Sequence, residues 1–154
     1  MTLDTLVYPA SVRAKVTIDS KKAIFPYFGH LAGRTLGLDG GQVAEMLLER
    51  ERLGSTGFGR GIALPHAKIE GLGGVRGLFI QLLRPIDFSA VDGLPVDLFF
   101  VLLSPIDAGA DHLKALASAS RLLRNEAMAD RLRGAKNDEA LYALLSDSEA
   151  RDAA

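Results

Sequence analysis

Two apolar runs dominate the chain, Gly77–Leu83 (GLFIQLL) and Asp97–Leu103 (DLFFVLL). Near-continuous apolar character over so few residues predicts strands buried on both faces, and the more hydrophobic second run is expected at the centre of a sheet. Residues 12–18 (VRAKVTI) alternate loosely and are rich in β-branched types, which predicts a further short strand; Ile62–Leu64 predicts another. Val91-Asp92-Gly93 reads as a turn before the central run.

Elsewhere the period changes to that of helices. From Lys21, residues Ile24, Phe28, Leu31 and Ala32 recur at three- and four-residue steps, with Asp19 or Ser20 as cap and Gly33 as stop. Pro26 leaves the start of this helix open to a later residue. A second helix follows Asp39, burying Val43, Met46 and Leu47 and ending in Glu49, Arg50, Glu51 and Arg52 before Gly54. Leu113, Leu116, Ala117, Leu122 and Leu123 mark a third, with two shorter ones at Glu126–Leu132 and Asp138–Leu145. Residues 5–147 are expected to form one domain and 148–154 a disordered C-terminal tail. The fold class is therefore α/β, in an α+β-like mixed arrangement: one mixed central sheet with helices on both faces.

Composition supports a substantial core, with 48% hydrophobic residues in 154. Cysteine is absent, which removes disulfides, thiolate nucleophiles and cysteine-bound metals. Eighteen Lys and Arg against nineteen Asp and Glu give a net charge of −1, so no global field draws the chain to nucleic acid or anionic lipid. No apolar stretch approaches the roughly 20 residues of a membrane span, and the N-terminus has no secretory pattern; a cytoplasmic protein is expected.

Four glycines lie between Gly54 and Gly61 in a loop that invites a nucleotide, but Gly57-Phe58-Gly59-Arg60-Gly61 misplaces the third glycine of a dinucleotide fingerprint. The sequence also lacks a GxxxxGK[ST] loop, a GxSxG elbow at Ser55 or Ser104, and HExxH. What remains is Gly61-Ile62-Ala63-Leu64-Pro65-His66-Ala67-Lys68, where an imidazole follows a proline at the end of a strand-like triplet. Arg50, Arg52, Arg60 and Lys68, with the N–H groups of Gly57, Gly59 and Gly61, would suit an incoming phosphoryl or carboxylate group. The same residues also admit a purely structural reading, with His66 hydrogen-bonded in a turn and the arginines paired with Glu49 and Glu51 along their helix. His112 can be an exposed first-turn residue or a second imidazole beside His66; His30, in mid-helix, reads as a bystander.

The run LLERERLGSTGFGRGIALPHAKIEGL, followed by VDGLPVDLFFVLL and HLKALASASRLL, resembles the enzyme IIA family of the bacterial phosphotransferase system. It is most similar to the nitrogen-regulatory branch of the mannitol/fructose type, over residues 5–147. The resemblance implies a phosphohistidine carrier in which His66 takes a phosphoryl group from an HPr-like phosphocarrier protein. It further implies that His112 orients or stabilises that group and that Arg50 supplies charge stabilisation. Family members often carry a small polar residue where this chain has Arg60, which here would place an added cation in the phosphate-binding loop. An imidazole of ordinary pKa is about three-quarters neutral at pH 7 and can attack phosphorus unaided, so neither cofactor nor metal is called for. No fused sugar-specific domain is expected, which would suit a regulator acting on protein partners. The alternative is a sugar-specific IIA passing phosphate to a separate IIB domain.

Overall fold

In the computed structural model, which describes residues 3–152, the two apolar runs lie side by side as antiparallel strands, β5 (Arg76–Ile86) and β6 (Val96–Ser104). Their register sets Leu78 against Val101, Phe79 against Phe100 and Ile80 against Phe99. Because strand side chains alternate in direction, a run apolar at every position must be covered on both faces. Leu98, Phe100 and Leu102 enter one core, with residues from Ala115 to Leu145; Phe99, Val101 and Leu103 enter the other, with Phe25, Phe28, Val43 and Leu47.

Beside β5 and β6 run β1 (Val12–Val16), β2 (Gly57–Gly59), β3 (Ile62–Ala63) and β4 (His66–Lys68), in the order β1-β5-β6-β3-β2. β1 is parallel to β5; β3 and β4 are both parallel to β6, one after the other along the same edge. Pro65 lies at the break between β3 and β4, where its missing N–H removes a ladder donor, while its carbonyl accepts from Leu102 N–H at 2.9 Å. The sheet is mixed and helix-covered on both sides, as the pattern predicts.

One face carries α2 (Lys21–Leu36) and α3 (Gly40–Arg52); the other carries α1 (Leu3–Leu6), α4 (Ala110–Arg124), α5 (Glu126–Gly134) and α6 (Asp138–Asp152). Ser20 caps α2 by accepting from Ala23 N–H at 3.1 Å, so the helix begins at Lys21 and runs through Pro26. Burial of Ile24, Phe25 and Phe28 offsets the hydrogen bond that Pro26 forgoes. The stop is Gly37, in the left-handed region at φ 70°, and the expected terminator Gly33 lies inside the helix with its carbonyl accepting from Gly37 N–H. Gly29 and Gly40 let α2 and α3 meet: a Cβ on Gly29 would stand 2.1 Å from the Gly40 carbonyl oxygen. At the C-terminus α6 continues to Asp152, into residues expected as tail, since neither glycine nor proline interrupts the helix after Leu145. Residues 153–154 lie outside the described residues.

Candidate functional site

The site lies where β4 and β6 end, between the C-terminus of α3 and the N-terminus of α4. β4 pairs His66 with Leu102 and Lys68 with Ser104, so His66 and Lys68 share one direction from the strand. His66 Nδ1 lies 2.8 Å from the Leu64 carbonyl oxygen. A carbonyl can only accept, so Nδ1 carries the proton and the lone pair of the neutral ring is on Nε2. That is the arrangement a nucleophilic imidazole needs.

Around His66 opens a cleft of about 570 Å³ lined by Met46, Glu49, Arg50, Leu53, Ala67, Lys68, Ile106 and His112. The rings of His66 and His112 have centroids 5.6 Å apart and are inclined at 53°. Ser104 Oγ lies 2.6 Å from His112 Nδ1. Burial is the main cause holding the His66 pKa below the ordinary histidine value; the Leu64 hydrogen bond opposes it, and the Arg50 guanidinium adds to it. The pKa of His112 is also lowered, first by burial and then by His66 and Lys68. Both imidazoles are thus biased toward their neutral forms.

Arg50 belongs to the last turn of α3, and its Nη1 donates to the Gly54 carbonyl at 2.9 Å. Cations at a helix C-terminus are favoured by the exposed carbonyls there, and this one also lines the cleft. Its neighbour Glu51 points the other way and is buried. Glu51 Oε1 accepts from Thr56 N–H at 3.0 Å and Thr56 Oγ1 at 2.6 Å, while Lys21 Nζ lies 2.9 Å from Oε2. The pairing of the α3 arginines with Glu51 allowed for by helical spacing therefore does not form; Lys21 and Thr56 take the carboxylate instead. Thr56 in turn accepts Leu64 N–H at 3.0 Å, which ties this buried network to the residue holding His66.

The structure brings His66, His112 and Arg50 together but leaves the tip of the glycine loop elsewhere. Asp97 and Leu98 N–H both donate to the Gly61 carbonyl, and Asp97 precedes Leu102, the partner of His66, by five positions on β6. At about 3.3 Å per residue, that separates Gly61 from His66 by about 17 Å along the sheet. Arg60, at φ 57°, donates its N–H to Asp92 Oδ2 at 2.9 Å, pairs its guanidinium with Glu126 and offers its carbonyl to Arg133 Nη2 at 2.7 Å. Gly57, Gly59, Arg60 and Gly61 are thus a hairpin, not the phosphate-binding loop expected around His66. Two of these glycines have local causes: a Cβ on Gly57 would stand 2.9 Å from Ala90 Cβ, and Gly61 lies in the left-handed region at φ 79°. His30 is exposed on α2, away from the cleft.

Sequence reasoning missed Ser104 and the apolar rim of Met46, Leu53 and Ile106. For Ser104 a signal existed: it is the polar residue that ends the most apolar strand, eight positions before His112. Nothing in the spacing marks the rim.

Residues 6–148 match the family described as phosphoenolpyruvate-dependent sugar phosphotransferase system, EIIA 2. The chain belongs to this family. Among curated relatives, the nitrogen regulatory protein of Bradyrhizobium diazoefficiens is 44% identical over 146 residues, covering 95% of each chain. The EIIA fold is shared with the nitrogen regulatory protein IIA-Ntr from Neisseria meningitidis at a TM-score of 0.85 and 33% identity, over 92% of this chain and 97% of that one. The IIA mannitol structure from Escherichia coli has a TM-score of 0.75 at 18% identity, over 90% of this chain and 97% of that one, and supports the EIIA fold alone. Among the described residues, no helix of this EIIA chain is long and apolar enough to cross a membrane.

Proposed function

We propose that this EIIA chain is a regulatory phosphoryl carrier that accepts a phosphoryl group on His66 Nε2 from a phosphorylated HPr-like phosphocarrier protein in the cytoplasm. The observation that carries the proposal is the hydrogen bond from His66 Nδ1 to Leu64, which leaves Nε2 as the basic nitrogen in a cleft shared with Arg50 and His112. In the transfer the Nε2 lone pair forms the new N–P bond, and the electrons of the breaking P–N bond return to the donor imidazole. The Nδ1 proton stays in place, so the phosphorylated ring carries positive charge that the Leu64 carbonyl stabilises. Arg50 and His112 serve the equatorial oxygens, where charge accumulates.

The rim of the cleft supports a protein partner. Leu53 and Ile106, both lining the cleft, are 84% and 56% exposed, which sets bare aliphatic surface around a polar centre. A phosphoryl group places nearly two negative charges in the middle of that surface, enough to exchange one set of partners for another. The relatives named as nitrogen regulatory proteins favour this regulatory reading over the sugar-specific one.

Incubation with a phosphorylated HPr-like donor tests the proposal. Wild type is expected to gain acid-labile phosphate and His66→Ala none; labelling of His66→Ala would overturn the assignment. Efficient onward transfer to a separate IIB domain would instead favour the sugar-specific alternative.

A further inference from the structure

Ser104 closes β6 and is fully buried. Its backbone is held by the pairing with Lys68 and by Ile69 N–H, which donates to its carbonyl at 2.7 Å, so its hydroxyl is delivered from a rigid strand end. That hydroxyl is 2.6 Å from His112 Nδ1. Either group can donate to the other, and the choice fixes the chemistry of the opposite ring nitrogen. If Nδ1–H donates to Ser104, the neutral ring has only a lone pair on Nε2. If Ser104 Oγ–H donates to Nδ1, the neutral ring carries its proton on Nε2.

Beside the donors of Arg50 and Lys68, only the second arrangement lets the neutral His112 ring itself offer the cleft an N–H donor. An incoming phosphoryl group presents anionic oxygens, which accept and never donate when fully ionised. His66 shows how the opposite outcome is built: there the partner is a carbonyl, and the proton must be on Nδ1. A hydroxyl in place of a carbonyl lets the second ring of the pair take the complementary tautomer.

We propose that Ser104 is a positioning residue for phosphoryl transfer, donating its hydroxyl proton to His112 Nδ1 and so holding His112 as the Nε2–H tautomer, complementary to the Nδ1–H tautomer that Leu64 imposes on His66. The inference rests on the function proposed above. During transfer His112 Nε2–H donates to a phosphoryl oxygen, and no proton changes its parent atom.

The test is a long-range 1H–15N correlation spectrum of the full chain carrying 15N-labelled histidine, at a pH where both rings are neutral. Wild type is expected to show His66 protonated on Nδ1 and His112 on Nε2, and Ser104→Ala to show His112 averaging between tautomers. Ser104→Ala is also expected to slow phosphorylation by an HPr-like donor about tenfold in the wild-type background and not at all in a His112→Ala background. An equal loss in both backgrounds would mean a merely structural role and overturn the inference. So would a wild-type His112 protonated on Nδ1, a result that needs no variant to fold. Failure of wild type to take phosphate on His66 would overturn the function proposed above; a Nδ1–H His112 in a chain that does take phosphate overturns only the role of Ser104.

Discussion

His66 and Leu64 are joined by a 2.8 Å hydrogen bond that steps over Pro65. The fixed φ of the proline holds the two residues in register, and the Leu64 carbonyl selects the ring tautomer. Local backbone geometry thus leaves the lone pair of the neutral ring on Nε2, as the proposed phosphoryl transfer requires, with no general base to remove a proton.

The lowered pKa of both cleft histidines has a consequence for acid stability. Below the ordinary value near 6.5 the unfolded chain binds protons that the folded rings resist, so this contribution is complete above that value and is lost as pH falls toward the folded pKa values. Between about pH 7.5 and about pH 5.5, wild type should lose more stability than the His66→Ala/His112→Ala double variant. Urea unfolding of both proteins at the two pH values measures the difference. Equal losses would show that the rings titrate alike in the folded and unfolded chain.

Arg50 both opposes protonation of His66 and offers its charge to the cleft. Arg50→Ala should therefore raise the His66 pKa in an NMR titration while slowing phosphorylation about 100-fold. Arg50→Lys keeps the charge without the planar fork and should fall between. A downward pKa shift in Arg50→Ala would contradict the electrostatic relationship.

Lys21 is the cation of the buried Glu51 carboxylate and also stands 4.6 Å from the centroid of the Phe88 ring. Lys21→Ala leaves Glu51 with only its Thr56 donors and should cost about 3 kcal/mol of folding stability, measured by denaturant unfolding. A change under about 0.5 kcal/mol would show that Thr56 satisfies the carboxylate alone.

Arg60 lies at the hairpin tip with Asp92, Glu126 and Arg133 as partners. Arg60→Ala should change the phosphorylation rate by less than about twofold, a difference under roughly 0.5 kcal/mol in barrier height. A tenfold loss in single-turnover transfer would return this residue to the site from which its position in the sheet removes it.

Much of the fold is legible in the chain because its signals are local. The continuous runs around Phe79 and Phe100 require cover on two faces, and Ser20 and Asp39 cap the helices that supply part of it. Pro26 and Gly33 mislead because tertiary burial of Ile24, Phe25 and Phe28 outweighs the helix-breaking tendency that either residue has in isolation.

For the site, the order of residues marks His66, His112 and Arg50 through the resemblance of their motifs, and it marks the glycines as positions of unusual backbone. The tertiary structure alone decides what those glycines are for: the parallel pairing of β3 and β4 with β6 carries Gly61 to the level of Asp97 and His66 to the level of Leu102, at opposite ends of one strand. Closeness in sequence becomes distance in space because an extended chain advances about 3.3 Å with every residue. The converse holds for Ser104 and His112, which a loop and the first turn of α4 fold back into hydrogen-bond contact. Sequence by itself determines which side chains can do the chemistry. Strand register and helix placement decide which of them meet, because hydrogen-bond geometry and burial are properties of the packed sheet and not of any segment of it.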